Sequence, residues 1–257
     1  MQTVIVANGR DHGYRASSPD VTRSPHTTAL LRVGAWSATV FPLVFGAGWL
    51  LLGHFFPPFS PADGPEEIAR QFLDRRTPIM LGSVAIMVST MVLAPAGALL
   101  VLIVRKAESG VGILTVILGL TVATTMVLTF YTGFSLALAT FRAGRGPALI
   151  QYASDSAFLQ FIGGIPMFWL LWIVVACASL VTRSRENPVI PRWFGYVSLW
   201  AAILYIPELL VFFLKQGPFA WDGLVGFWIP AVIFIVYFPL ATAVSLGIIR
   251  RHFEDTR

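Results

Sequence analysis

The chain has 257 residues, of which 56% are hydrophobic and only 12% are charged. Because a typical soluble domain contains about 25% charged residues, this composition excludes a water-soluble globular protein. The net charge of +5 does not indicate nucleic-acid binding, because the basic residues lie at the ends of apolar runs, where membrane insertion and anionic lipids select them.

The first 28 residues are polar and rich in Ser, Thr, Arg and Pro, and they contain no apolar stretch of a cleaved signal peptide. We predict a disordered cytoplasmic tail over residues 1–28. His12 and His26 have no Cys or Glu close by, so we predict no metal site there. His54, at the end of the first apolar run, has no second histidine with which to hold haem, so we predict no cofactor.

Six apolar runs follow, each long enough to cross a bilayer as a helix, since about 20 apolar residues span the hydrocarbon layer. The runs are 31–53, 78–104, 111–139, 158–181, 193–214 and 223–249. They are too long for ordinary globular helices, and they lack the two-residue alternation of a β-barrel. The sequence therefore predicts an all-α, polytopic membrane bundle of six transmembrane helices over residues 29–251, with a short cytoplasmic tail over 252–257.

Three of the connections contain a Gly-Pro pair, which is a helix-start signal. The pairs are Gly64-Pro65, Gly146-Pro147 and Gly217-Pro218. Two glutamates and then apolar residues at helical spacing follow Pro65, which predicts a short helix on the outer membrane surface. Pro147 predicts a helix that continues into the fourth run, and residues 217–223 predict a tight turn with Trp221 as an aromatic anchor.

The distribution of basic residues predicts that both chain ends face the cytoplasm. Twelve of the eighteen Lys and Arg residues lie on the side of the termini: Arg10, Arg15, Arg23, Arg32, Arg105, Lys106, Arg183, Arg185, Arg192, Arg250, Arg251 and Arg257. The other six lie in the connections that contain Gly-Pro: Arg70, Arg75, Arg76, Arg142, Arg145 and Lys215. We therefore predict an N-in/C-in topology.

Glu208 stands out among the few polar residues of the predicted spans, because a charge at the centre of a membrane helix costs about 2.5–3.5 kcal/mol or more. The α-helical period places Tyr205, Phe212 and Lys215 on its face, and Pro207 predicts a kink. Since burial disfavours an unpaired charge, we predict that Glu208 faces the bundle interior as a neutral acid. The alternatives are a carboxylate that reaches water at the outer surface, or a hydrogen bond to a neighbouring helix.

The tryptophans differ in their predicted depth. Trp49, Trp221 and Trp228 fall toward the outer interface and Trp193 at the inner one, which is typical of an aromatic belt. Trp169, Trp172 and Trp200 lie deeper, and we expect them to pack between helices.

Two further patterns concern the packing of the predicted spans. Thr121, Thr125, Thr129 and Thr132 form a polar stripe that we expect to face protein rather than lipid. Residues 163–166 and Pro230 predict bent outer halves in the fourth and sixth runs. Such bends line binding sites in transporters, but close packing also selects glycine and proline, and close packing is the favoured interpretation.

Several segments resemble a group of multi-pass membrane proteins from actinobacteria and proteobacteria. The segments are Pro191-Arg192-Trp193-Phe194-Gly195-Tyr196, Gly217-Pro218-Phe219-Ala220-Trp221, Phe227-Trp228-Ile229-Pro230 and Phe56-Pro57-Pro58. The resemblance implies a multi-pass protein of the bacterial cytoplasmic (plasma) membrane. It implies no activity and no catalytic residues.

No nucleotide-binding loop, zinc-protease motif or nucleophile elbow occurs, so the functional prediction depends on architecture. We predict binding or handling of a hydrophobic small molecule or lipid in an outer-leaflet cavity, in a transport, accessory or interaction role. Candidate cavity residues are Trp49, Gln160, Phe212, Trp221 and Trp228. One alternative is an intramembrane isomerase or cyclase with Glu208 as Brønsted acid beside Tyr205 and Asp222. The other is a structural subunit of a membrane complex or homo-oligomer.

Overall fold

The computed structural model describes residues 25–164, 166–180 and 188–254, and within these ranges the chain forms helices and no strand. The α-helices are α1 (Pro25–Gly46), α2 (Pro65–Asp74), α3 (Arg76–Ala107), α4 (Ile113–Phe141), α5 (Pro147–Phe161), α6 (Pro166–Leu180), α7 (Arg192–Tyr205) and α8 (Ile229–Ile249). Three π-helical segments, Ala47–Leu52, Leu224–Trp228 and Arg250–Glu254, and one 3-10 helix, Ile206–Phe212, extend them.

Six of the helical segments are long and apolar enough to cross a membrane, which confirms the predicted six-helix bundle. In chain order, spans 1 to 6 are Thr27–Leu52, Arg76–Ala107, Ile113–Phe141, Pro147–Leu180, Arg192–Phe212 and Leu224–Glu254. Six crossings place residues 25 and 254 at one end of the bundle, which we name the terminal end. The loops at 53–64, 142–146 and 213–223 lie at the other, the Gly-Pro end.

The helices extend somewhat beyond the predicted domain bounds. Helix α1 begins at Pro25, where the fixed φ of proline suits a first turn, so residues 25–28 of the predicted tail are helical. Residues 1–24 of that tail lie outside the described residues. The last π-helical segment runs to Glu254 and so covers the start of the predicted tail at 252–257.

The spans form a closed ring. Span 1 packs between spans 2 and 6, span 3 lies between spans 2 and 4, and span 5 packs against span 4 and meets span 6. Glycines permit the closest approach, between spans 1 and 2: a Cβ placed on Gly48 would lie 2.8 Å from the carbonyl oxygen of Gly82, and one on Gly82 would lie 2.9 Å from the amide nitrogen of Gly53. Small residues are needed wherever two helix backbones approach this closely.

The threonine stripe of span 3 faces protein, as predicted. Thr121, Thr125, Thr129 and Thr132 are buried, and each hydroxyl donates to the carbonyl oxygen four residues earlier. The hydroxyls thereby satisfy their own hydrogen bonds inside α4, so the stripe adds small, neutral contact surface to the neighbouring helices.

Several arginines at the Gly-Pro end have local partners. Arg76 donates from Nε to the carbonyl of Thr140 (2.8 Å) and from Nη2 to that of Phe141 (2.9 Å), which satisfies the last turn of α4. Arg70 pairs with Glu67 at 2.6 Å, and this hydrogen bond lowers the pKa of the Glu67 carboxyl. These positive charges therefore have structural roles at an end that is otherwise poor in basic residues.

Glu108 joins α3 to α4 at the terminal end. Its carboxylate accepts hydrogen bonds from the amides of Leu114 (3.1 Å) and Thr115 (2.7 Å) and from the Thr115 hydroxyl (2.6 Å). Burial by itself raises the pKa of Glu108, but these hydrogen bonds outweigh it, so the net shift is downward. Glu108 thus acts as an ionised cap for the first turn of α4.

Helix α2 forms over Pro65–Asp74, close to its predicted position, but its apolar face does not lie on the membrane. Ile68, Ala69 and Phe72 are buried, and the helix packs against α5 and touches α3 and α4. The predicted membrane-surface helix is instead a cap on the protein itself. The reason is that the ends of spans 2, 3 and 4 offer an apolar surface of their own beneath it.

Candidate functional site

A cavity of about 370 Å³ lies in the half of the bundle nearest the Gly-Pro end, between spans 1, 4, 5 and 6. Its walls are almost entirely apolar. The lining residues are Pro42, Leu43, Phe45, Gly46, Ala47, Trp49, Leu50, Leu51, Phe161, Ile162, Phe168, Tyr205, Glu208, Phe227, Pro230, Ala231, Phe234 and Ile235.

Every departure from α-helical geometry in this half of the bundle borders the cavity. The π-helical segments Ala47–Leu52 and Leu224–Trp228, the 3-10 helix Ile206–Phe212 and the break between α5 and α6 all contribute or flank lining residues. Segments of π-helix inside longer helices occur frequently at functional sites. In this bundle the irregular segments of spans 1, 4, 5 and 6 contribute residues to the wall of one cavity.

Pro207 explains the 3-10 segment of span 5. Proline has no amide hydrogen, so the carbonyl of Ile203 loses its usual donor four residues later. The amide of Ile206, only three residues later, donates to that carbonyl instead, and the helix tightens. The sequence predicts a kink at Pro207, whereas the structure shows a change of helical period.

This change of helical period changes which residues lie on the same face of span 5 as Glu208. With three residues per turn, Tyr205, Glu208 and Val211 share the buried side of span 5. Phe212 is 51% exposed and Lys215 is exposed, so the predicted shared face of Tyr205, Glu208, Phe212 and Lys215 is wrong beyond Glu208.

Glu208 faces the interior, as predicted, with 3% of its surface exposed. Its Oε2 atom is buried and has no hydrogen-bond partner in the part of the chain that the structure describes. The Tyr205 hydroxyl donates to the carbonyl oxygen of Pro230 at 2.7 Å and is therefore already engaged. The indole Nε1 of Trp49, a residue that is 2% exposed, is likewise buried without a partner among the described residues.

Aromatic rings form much of the wall. Phe45 lies 4.5 Å from Phe161 between ring centroids, Trp49 lies 5.2 Å from Phe161, and Phe45 lies 6.1 Å from Phe234. These phenylalanines are not among the predicted site residues. A signal was present, because Phe41, Phe45 and Trp49 recur at a spacing of four residues, which places them on one helix face.

Trp221 belongs to the turn at residues 217–223, at the Gly-Pro end of the bundle, which we name the roof. Its indole nitrogen donates to the carbonyl oxygen of Phe59 at 2.7 Å, and its ring stacks on Phe158 at 5.4 Å. Gly217, at φ 84°, begins the turn that carries it, in a region of backbone space that favours glycine. Trp49 and Trp221 are buried, so their predicted place in an interfacial belt is wrong. Both residues pack in the aromatic core.

The cavity opens sideways between spans 1 and 6. Leu43 and Leu51 of span 1 and Ile235 of span 6 line it and are exposed on the outside of the bundle. An apolar rim on the surface of a membrane-spanning helix faces lipid tails. The lateral opening therefore joins the cavity to the hydrocarbon layer.

The remaining candidate residues lie elsewhere. Gln160 donates to the hydroxyls of Ser156 (2.5 Å) and Ser135 (3.2 Å) and so links α5 to α4. The Trp228 ring is half-buried and contacts Phe56 at 5.0 Å, and Asp222 lies in the roof turn. Neither these residues nor Phe212 lines the cavity. Of the predicted site residues, the structure brings together Trp49, Tyr205 and Glu208.

Contacts show how the bend predicted in the fourth run is packed. The turn between α5 and α6 is tightly packed, because a Cβ on Gly163 would meet the Phe212 ring and one on Gly164 would meet Leu128. Close packing and a bend that lines a cavity therefore occur together in span 4. Within residues 25–164, 166–180 and 188–254, no three His, Cys, Asp or Glu side chains are placed to hold a metal ion.

Comparison with known proteins yields no match to any family model, curated protein or solved structure.

Proposed function

We propose that the protein binds a hydrophobic small molecule or lipid in the cavity between spans 1, 4, 5 and 6. One observation carries the proposal: an apolar cavity of about 370 Å³ that opens through an apolar rim toward the lipid. Its size falls in the usual range of small-molecule sites, about 300–1,000 Å³. A ligand dissolved in the bilayer would reach it without crossing water.

The break in span 4 also supports a binding role. Phe161 and Ile162 close α5, Phe168 lies in the first turn of α6, and all three line the cavity. In transporters, interrupted membrane helices of this kind form the substrate site. A transport or carrier role for the bound molecule is consistent with this arrangement.

An intramembrane enzyme is the second candidate, and the unpaired carboxyl oxygen of Glu208 is the observation that favours it. General acid–base catalysis needs a group that can exchange a proton with the substrate in the right geometry. The Tyr205 hydroxyl is bonded to Pro230, however, and Asp222 does not line the cavity. Glu208 therefore lacks the partners predicted for it, and a binding role requires fewer assumptions.

Filling the cavity tests the proposal. Ala231 lines the cavity on span 6, whereas Ala243 of the same span is exposed. We expect Ala231→Trp to lower the amount of co-purified hydrophobic molecule about tenfold, which corresponds to about 1.4 kcal/mol of binding free energy. Organic extraction and mass spectrometry of the purified proteins would measure this.

The matched control is Ala243→Trp, which adds the same side chain on the lipid-facing surface and should leave the bound molecule at the wild-type level. Both variants should elute as a single symmetrical peak in detergent. Equal extracts from Ala231→Trp and Ala243→Trp would show that the co-purified molecules are annular lipids, and the proposal would fail.

We further propose that the protein resides in a bacterial cytoplasmic membrane, which the resemblance of its segments implies. We propose that both of its ends lie in the cytoplasm, which its basic residues indicate. Ala143→Cys and Gln216→Cys, both at exposed loop positions and in a Cys177→Ser background, should react with an impermeant maleimide in intact cells. Ser109→Cys, exposed at the terminal end, should react only after lysis. The reverse pattern would invert the topology.

A further inference from the structure

We propose that the molecule bound in the cavity is an apolar alcohol, with a hydrocarbon body and one hydroxyl group as its polar end. This inference rests on the proposed binding function and specifies its ligand. It follows from the two polar atoms that the cavity leaves unpaired, and from what each of them is able to donate or accept.

Three of the described residues that line the cavity have polar side-chain atoms: Trp49, Tyr205 and Glu208. The Tyr205 hydroxyl is bonded to the carbonyl of Pro230. Trp49 Nε1 and Glu208 Oε2 remain, both buried and without a hydrogen-bond partner in the described chain. Proteins satisfy the large majority of their buried polar atoms, so two unpartnered atoms on residues that line one cavity point to a ligand that supplies their partners.

The two atoms require different hydrogen-bonding groups on the ligand. An indole N–H is a donor only, so Trp49 requires an acceptor on the ligand. A carboxyl oxygen of Glu208 accepts when the group is ionised, and it either accepts or donates when the group is neutral. A hydroxyl group has one donor hydrogen and two acceptor lone pairs. Its chemistry therefore matches both the Trp49 donor and the Glu208 carboxyl, in either protonation state of the carboxyl.

Other common lipid head groups fit less well. A fatty-acid carboxylate would meet no cation in the described lining and would lie beside the carboxyl of Glu208. A lipophilic ammonium ion would pair with Glu208 but has no acceptor for the Trp49 N–H. An ether or ketone oxygen accepts a hydrogen bond from the Trp49 N–H but donates none to an ionised Glu208 carboxylate. The hydroxyl is the one of these groups that leaves neither atom unpaired whether Glu208 is ionised or neutral.

The rest of the cavity suits a hydrocarbon body. Apart from Trp49, Tyr205 and Glu208, the lining side chains are aliphatic, aromatic, proline or glycine. Apolar chains transfer favourably into such a wall and gain dispersion contacts with the rings. The lateral opening at Leu43, Leu51 and Ile235 allows a chain longer than the cavity to extend into the bilayer.

Binding of radiolabelled n-decanol to the protein in lipid nanodiscs tests the inference, with decane, decyl methyl ether and decylamine as unlabelled competitors. One net hydrogen bond contributes about 1 kcal/mol, or about fivefold in affinity. We expect the ether, which keeps the acceptor and loses the donor, to bind about fivefold more weakly than the alcohol. Decane, which loses both, should bind about 25-fold more weakly.

Substitutions at Trp49 and Glu208 test whether these two residues cause the difference in affinity between decanol and decane. Trp49→Phe and Glu208→Leu should each weaken decanol about fivefold and leave decane unchanged, which also shows that the cavity is intact. Glu208→Gln, whose amide both donates and accepts, should retain decanol binding. It thereby keeps the test valid even if Glu208→Leu does not fold.

The outcomes separate the two proposals. If decane binds as tightly as decanol, the cavity takes hydrophobic molecules without selecting a hydroxyl, and this inference is overturned while the proposed function stands. If decylamine binds most tightly and Glu208→Gln abolishes its binding, the ligand is a lipophilic cation and the inference is likewise overturned. If none of the four probes binds, this inference and the proposed function both fail.

Discussion

Substitution of valine for Gly82 should destabilise the folded bundle by about 3 kcal/mol. A Cβ at this position would press against the carbonyl of Gly48 in span 1 and the amide of Gly53 just after it, and these backbone atoms cannot rotate away as a side-chain tip can. Spans 1 and 2 would have to separate, and the cavity wall formed by Trp49 would shift with them. Loss of helicity on titration with a denaturing detergent would measure the change in stability.

Gly119→Val is the matched control. Gly119 also lies within a membrane-spanning helix, but a Cβ there would meet nothing within 4 Å. The difference in intrinsic helix propensity between glycine and valine is the same at both positions, so the difference between the two variants isolates the interhelical contact. If Gly82→Val is as stable as Gly119→Val, spans 1 and 2 do not approach as closely as described.

Replacement of Trp172 by alanine should cost about 3–5 kcal/mol, the usual range for a large aromatic side chain removed from a packed core. Trp172 is 1% exposed and lies between Tyr205, at a centroid distance of 4.7 Å, and Tyr237, at 5.4 Å. Its loss would leave a void that these neighbours can only partly fill. The same detergent titration would report the effect.

Trp200→Ala provides the comparison, because Trp200 is 63% exposed on the outside of span 5. The sequence analysis expected both tryptophans to pack between helices, and for Trp200 that expectation is wrong. We expect Trp200→Ala to change the stability by no more than about 0.5 kcal/mol, as is usual for surface positions. A large loss for Trp200→Ala would mean that a partner helix covers this face.

These two tryptophans illustrate why depth in a span does not predict packing. Trp172 and Trp200 both lie well inside apolar runs, and lipid tails and protein interior are equally apolar. Hydrophobicity therefore gives no signal about which face of a membrane helix turns inward. The same ambiguity explains why Trp49 and Trp221, predicted as interfacial anchors, lie in the aromatic core.

The position of Glu208 shows a related limit. Its burial could be predicted, because the cost of a carboxyl group in lipid favours an inward position. Its neighbours could not, because the companions of Glu208 depend on the helical period. Pro207 converts that period from 3.6 to 3.0 residues, which buries Val211 and turns Phe212 outward.

The sequence by itself determined the six spans and the threonine stripe. Each of these depends on a property of the chain alone: the length of an apolar run, or the spacing of polar residues along one helix. Gly-Pro pairs marked two helix starts, at Pro65 and Pro147, for the same kind of local reason.

Only the tertiary structure decided the cavity, its lateral opening and the choice of Trp49 and Glu208 as its unpaired polar atoms. The cavity is formed by spans 4, 5 and 6 together with span 1, which is far from them in the chain. The non-α segments at 47–52, 206–212 and 224–228 all contribute to its wall. No local pattern encodes that arrangement. It results from the ring order of the helices and from the close glycine contacts that set how the spans pack against one another.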